Sequence, residues 1–113
     1  MIIRWGIFGT GVIPANFIAG LSKAKNAKVS YVASRSLKRA QKFASNLRVP
    51  RVIQGYAEAV KSGEADVIYI ATPTSEHLNH ALLCIEAGIP VLVEKPFATN
   101  ELEAEKISQA AKS

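Results

Sequence analysis

Apolar positions along this chain follow two patterns that take turns. Short, nearly continuous runs rich in β-favouring residues occur at 2–8 (IIRWGIF), 28–34 (KVSYVAS), 66–71 (DVIYIA) and 90–94 (PVLVE), with a weaker run at 51–56 (RVIQGY). Runs of this length, stopped by Gly9, Thr72-Pro73 and Lys95-Pro96, predict strands covered on both faces. Within the second run, strict alternation places Val29, Tyr31 and Ala33 on one face and Ser30 and Val32 on the other.

Between the runs, apolar residues recur at helical spacing. Residues 14–23 carry Phe17, Ile18 and Leu21, with Ile13 just ahead. Residues 37–47 carry Leu37, Ala40, Phe43, Ala44 and Leu47, which predicts that this face is buried. Residues 77–87 present Leu78, Ala81, Leu82 and Ile85, with Gly88 placed to end the helix. A short helix is predicted over 57–62, and a last one from Asn100, with Glu103 at capping-box spacing.

Strands that alternate with helices form a parallel sheet with right-handed crossovers. The predicted fold is therefore an α/β Rossmann-type, doubly wound parallel sheet of about five strands. A full domain of this type has a sixth strand, so residues 1–113 are expected to be a dinucleotide-binding domain that forms part of a longer protein.

The turn after the first strand is GTGVIP, residues 9–14. It follows a strand and precedes a helix, the context that a G-x-G-x-x-G phosphate turn requires. Gly9 permits a tight turn, and Gly11 lets the backbone approach a pyrophosphate. Pro14 stands where a third small residue is usual. Proline is favoured in the first turn of a helix, where its missing N–H has no helical partner.

The second strand ends VASRS. In NAD-binding domains an acidic residue about 20 residues beyond the turn holds the ribose hydroxyls. Ser34 occupies that place, Arg35 and Ser36 follow, and the sequence supplies no carboxylate near them. Arg35 pairs well with a 2′-phosphate, which a carboxylate would repel. Lys38 and Arg39 lie in the first turn of the next helix, where positive charge opposes the helix dipole unless an anion compensates. These residues predict NADP as cofactor, with NAD the second choice.

Charge adds to this picture. Of the 14 Lys and Arg, ten fall in residues 1–57 with no Asp or Glu, and all nine acids follow from Glu58 onward. Such asymmetry predicts that the first half faces an anion. Nucleic acid is an unsuitable anion, because no helix-turn-helix pattern or aromatic interleaving accompanies the charge. The composition, 49% hydrophobic and 20% charged, is that of a folded soluble domain. No apolar run approaches a membrane span, no signal peptide is evident, and the single cysteine excludes an internal disulfide. These features predict a cytoplasmic protein without membrane or nucleic-acid partners. His77, His80 and Cys84 fall on one helix at i, i+3 and i+7, too few ligands for a metal site. Cys84 reads as packing, and Trp5 as core.

Two further strand ends, TPTSEH (72–77) and EKP (94–96), are predicted at the carboxyl edge of the sheet, where ligands bind in this fold. Lys95 there suits proton donation to a substrate oxygen, with Glu94 holding it in place.

The stretches RWGIFGTG, VASRSLKRAQKFA, DVIYIATPTSEH and AGIPVLVEKPFATN occur in that order across essentially the whole chain. Together they resemble the N-terminal domain of the glucose–fructose oxidoreductase, inositol dehydrogenase and rhizopine-catabolism family, and most closely its NADP-preferring, dihydrodiol-dehydrogenase-like members. The resemblance implies that Gly9, Thr10, Gly11, Val12 and Ile13 hold the pyrophosphate. It implies that Ser34, Arg35, Ser36 and Arg39 surround the adenosine phosphate. Thr72 and Pro73 would pack beside the cofactor, with Thr74 and His77 completing that loop. Glu94, Lys95 and Pro96 would lie near the nicotinamide, with Lys95 catalytic. The implied activity is hydride transfer between a nicotinamide cofactor and a CH–OH group of a sugar, polyol or diol. The family's second domain, which carries most substrate contacts and the oligomer interface, has no counterpart in these residues. The resemblance therefore implies an enzyme that is a homo-oligomer at full length, and a domain that binds cofactor without turnover alone. A non-catalytic NAD(P)-binding sensor is the alternative, since the family includes regulatory members.

Overall fold

Neighbouring side chains on the central strands point to opposite sides, and two separate apolar clusters result. Ile7, Val32 and Tyr69 belong to one, whereas Phe8, Tyr31, Ala33, Ile68 and Ile70 belong to the other. The computed structural model describes residues 2–93. Within them lie strands β1 (Ile3–Phe8), β2 (Ala27–Ser34), β3 (Val52–Gln54), β4 (Val67–Ile70) and β5 (Val91–Val93), all pairing in parallel in the order β3-β2-β1-β4-β5. The helices are α1 (Val12–Leu21), α2 (Leu37–Leu47), α3 (Tyr56–Lys61) and α4 (His77–Glu86), the last preceded by a 3₁₀ turn at Thr74–Glu76.

Helices α1 and α2 cover the first face through Ile18, Ala40 and Ala44, with Phe17 stacked on Tyr69 at 4.0 Å and edge-on to Trp5 at 5.0 Å. Helices α3 and α4 cover the other through Ala59, Ala81 and Cys84. The chain winds outward from β1 through β2 to β3, then crosses back to β4 and β5. The reversal between β1 and β4 leaves a crevice at their carboxyl ends.

The architecture is the doubly wound sheet that the pattern predicts, with local corrections. Helix α1 starts at Val12, not Pro14, so Pro14 is its third residue, and it ends at Leu21. Strand β3 shrinks to Val52–Gln54, and α3 begins one residue early, at Tyr56. Val29 packs with Val32, not with Tyr31 and Ala33, because the β1–β2 register shifts between Trp5 and Gly6. Trp5 pairs with Val29 and Gly6 with Tyr31, so Ser30 is the extra residue of a bulge, and the alternation changes phase there. Leu37 is 39% exposed at the start of α2. On α4 the buried stripe is His77, His80, Ala81 and Cys84, so the histidines turn inward where the apolar pattern alone predicted Leu78, Ala81, Leu82 and Ile85. The predicted helix from Asn100 lies outside the described residues.

Candidate functional site

A cleft of about 910 Å³ opens at the carboxyl ends of β1, β2 and β4. Its floor is the turn after β1. Gly9 has φ of 112°, a region that side-chain-bearing residues avoid, and a Cβ there would lie 2.7 Å from the carbonyl oxygen of Ala71. Its N–H donates to the carbonyl of Ala33 at 3.1 Å. The protein itself therefore demands glycine at position 9.

Gly11 is different. It caps α1 with φ −86° and ψ −166°, an extended conformation open to any residue, and a Cβ there would meet only Pro14 Cδ, at 4.0 Å. Nothing in the protein's packing requires glycine at this position. What its missing side chain leaves open is space along the cleft. The first turn of α1 has neither a side-chain cap nor an acidic residue, so its amides and the positive end of its dipole are available to an anion. Pro14, buried at the third helical position, removes one amide from the first turn without breaking a helical bond.

Thr10, Gly11 and Ile13 line the cleft, while Val12 borders a smaller adjoining cavity of about 360 Å³. On the other side, Ser34, Arg35, Ser36 and Arg39 all face the cleft. Ser34 is buried, and its Oγ accepts from the Ser36 N–H at 3.2 Å. Ser36 in turn caps α2, its Oγ accepting from the Arg39 N–H at 3.3 Å. The Gln54 side chain donates to the Arg35 carbonyl at 3.2 Å. These bonds fix the loop that presents the two guanidinium groups.

The loop after β4 is held by two buried histidines. His77 Nε2 donates to the Thr72 carbonyl at 2.6 Å, and Thr72 Oγ1 lies 2.7 Å from His80 Nδ1. Burial first, then Arg35 and His77, lowers the His80 pKa to about 4, so its ring is neutral at physiological pH. Tyr56 and Phe8 pack on the His80 ring at 4.2 Å and 5.9 Å. Nε2 of His77 serves the Thr72 carbonyl, which leaves Nδ1 as its other ring nitrogen. That atom is buried and makes no hydrogen bond among the described residues, in a side chain that lines the cleft. Pro73 also lines it, and Thr74 opens the 3₁₀ turn. Glu94, Lys95 and Pro96 lie outside the described residues.

The cleft includes residues that sequence reasoning missed. Lys42, Phe43 and Asn46 follow Arg39 along one face of α2, at the 3, 4 and 7 spacing that was available as a signal. Tyr56 reaches the cleft from the start of α3. Most consequential is Glu76, which forms an ion pair with Arg35. The expectation of no nearby carboxylate is therefore corrected: an acid 41 positions along the chain arrives because the loops after β2 and β4 flank the same strand.

A sequence model described as an oxidoreductase family with an NAD-binding Rossmann fold, that of the glucose–fructose oxidoreductase, inositol dehydrogenase and rhizopine-catabolism group, matches residues 3–113. The chain belongs to this family. It is 37% identical over 115 residues to trans-1,2-dihydrobenzene-1,2-diol dehydrogenase of Mus musculus, covering 100% of this chain and 34% of that protein. This member of the oxidoreductase family thus spans about one third of the length of the curated relatives it matches. Among solved structures it is similar to the WlbA dehydrogenase from Bordetella pertussis in complex with NADH and UDP-GlcNAcA, with TM-score 0.93 and 25% identity over 99% of this chain and 34% of the other. It is also similar to KijD10, a 3-ketoreductase from Actinomadura kijaniata in complex with TDP-benzene and NADP, with TM-score 0.90 and 27% identity over 99% of this chain and 35% of the other. One of these carries NADP and the other NADH, so the family's cofactor class is a nicotinamide dinucleotide.

The residues present suit such a group. The open Cβ position at Gly11 and the uncapped start of α1 border one cleft, which the His77 side chain also lines. Among the described residues no helix is long and apolar enough to cross a membrane, and no group of three or more His, Cys, Asp or Glu is placed to hold a metal.

Proposed function

We propose that this domain binds NADP in preference to NAD. We further propose that, within the longer protein, it serves an oxidoreductase acting on a CH–OH group of a sugar, polyol or diol. The observation that carries the reading is Gly11: an unstrained glycine whose missing Cβ no packing contact in the protein requires and a ligand would. Gly9 to Ile13 would hold the pyrophosphate on the turn and the helix start. Arg35 and Arg39 would pair with the 2′-phosphate, with Ser34 and Ser36 fixing their loop. Thr72, held by both histidines, would seat the cofactor beside Pro73 and Thr74. Glu94 and Pro96 would orient Lys95, the proposed proton donor to the substrate oxygen. When bound, the nicotinamide supplies or accepts the hydride. The substrate classes are those in the names of the relatives, a dihydrodiol and a nucleotide-linked sugar.

Calorimetric titration with NADP and NAD tests the cofactor assignment. The expected result is tighter NADP binding, lost preferentially in Arg35→Asp, since a carboxylate there repels a 2′-phosphate. Tighter NAD binding by the wild type, or equal loss of both cofactors in Arg35→Asp, overturns it. Without the remainder of the protein, this domain is expected to bind cofactor and to show no turnover with a diol, measured by nicotinamide absorbance.

A further inference from the structure

The Arg35–Glu76 ion pair is not explained by either element that carries it. Arg35 stands just past β2, in the loop whose Ser36 caps α2, and Glu76 ends the 3₁₀ turn before α4. Each loop is fixed by its own hydrogen bonds, Ser34 to Ser36 on one side and His77 to Thr72 on the other. Strands β2 and β4 are the two neighbours of β1, so the pair joins the loops on either side of the Gly9–Gly11 turn. Both partners line the cleft, and the Arg35 side chain remains 69% exposed while that of Glu76 is 22% exposed.

We propose that Glu76 is a specificity-determining residue that competes with the cofactor's 2′-phosphate for Arg35. The inference rests on the NADP reading above. Glu76 Oε1 engages Arg35 Nη2, a donor that a bidentate grip on a 2′-phosphate would also use. In this structure Glu76 holds that donor, so a 2′-phosphate that takes it exchanges one anion for another. NAD brings no anion to this position and leaves the pair in place. Glu76 therefore acts selectively against NADP and narrows the margin that Arg35 and Arg39 create. It also keeps a solvent-facing guanidinium neutralised against stray anions. An isosteric amide at position 76 removes the competition and keeps the shape.

The test is calorimetry with NADP and NAD on wild type, Glu76→Gln, Arg35→Gln and the double variant, with circular dichroism to confirm folding. Glu76→Gln is expected to tighten NADP about two- to five-fold, the scale of a part-exposed ion pair, and to leave NAD unchanged. The gain should vanish when Arg35 is already Gln, because additivity fails only for residues that interact. Unchanged or weaker NADP binding in Glu76→Gln overturns the proposal. So does a loss of NAD affinity, which would make Glu76 a ribose ligand. If Glu76→Gln misfolds, Glu76→Asp decides: its shorter carboxylate should give a smaller gain of the same sign, and a loss overturns the proposal. The wild-type ratio of NADP to NAD affinity judges the underlying reading separately, since the effect of position 76 is read from NADP alone.

Discussion

Two glycines two residues apart should fail for opposite reasons, and alanine at each separates them. At Gly9 the backbone sits at φ 112°, outside even the small left-handed region open to other residues. Holding alanine there costs about 1–3 kcal/mol. The added Cβ would also stand 2.7 Å from the Ala71 carbonyl oxygen, a backbone atom at the end of β4 that cannot rotate away. Relieving such overpacking costs about 1–3 kcal/mol more. A loss of about 2–6 kcal/mol is a large share of the roughly 5–15 kcal/mol that holds a domain folded. In urea unfolding followed by circular dichroism, Gly9→Ala should lower the midpoint by about 1 M or more.

At Gly11 the same change has little to oppose it in the free protein. Its φ of −86° is available to alanine, and the nearest atom to the new Cβ is 4.0 Å away. Alanine is a poorer cap than glycine by about 0.5–1 kcal/mol. It also restricts the unfolded chain, which stabilises by about 0.4–1 kcal/mol. The two nearly cancel, so the urea midpoint should move by less than about 0.5 M. Binding should suffer instead, because the methyl enters the space proposed for the pyrophosphate. A clash of about 1–3 kcal/mol weakens NADP about 5- to 150-fold. A Gly11→Ala protein that binds NADP as the wild type does would refute the cofactor reading of this turn. An unchanged midpoint for Gly9→Ala would refute the strain argument.

Two predictions concern buried titratable groups. Burial pushes the Cys84 thiol up to about 12, so it should resist a thiol-specific chromogenic reagent at neutral pH and react fully once urea unfolds the chain; rapid labelling of the folded protein contradicts its placement. His80, 6% exposed, is held at about 4 against about 6.5 in an unfolded chain. The folded state then binds fewer protons, so this contribution is intact above pH 6.5 and is lost as pH falls towards 4, at up to about 1.4 kcal/mol per pH unit. Unfolding midpoints of the wild type should drop more steeply across that window than those of His80→Gln, and parallel curves would count against a buried neutral ring.

The sheet was legible because its strands are written as uninterrupted apolar runs with hard stops, a signal that burial on both faces imposes. What escaped the sequence was phase. One unpaired residue, Ser30, moves Val29 to the opposite face, and nothing in its local composition announces the bulge. The α4 stripe escaped for a related reason: His77 and His80 turn inward because Thr72, in another element, gives each ring a hydrogen bond. A polar residue reads as surface until its partner is known. The glycine turn and the residues after β2 could be read because each is local, whereas Lys42 and Asn46 required following the α2 face inward from Arg39.

Charge shows the same division most sharply. Ten bases in the first half and nine acids in the second suggest a basic surface facing an anion. The fold offsets part of that asymmetry. Arg4 pairs with Asp66 at 3.0 Å, Arg51 with Glu64 at 2.6 Å, and Arg35 with Glu76, each joining a base from the first half to an acid from the second. The pairing follows from topology: a parallel sheet that returns to its centre sets β4 beside β1, and so brings the acidic half of the chain against the basic half. Among the described residues of the cleft, Arg39 and Lys42 make no ion pair. The unpaired bases of the cleft therefore lie on one face of α2, beside the Arg35 guanidinium for which an exchange of partner is proposed. The chain's net charge is a poor guide to that site, while the few bases left uncompensated at its mouth locate it.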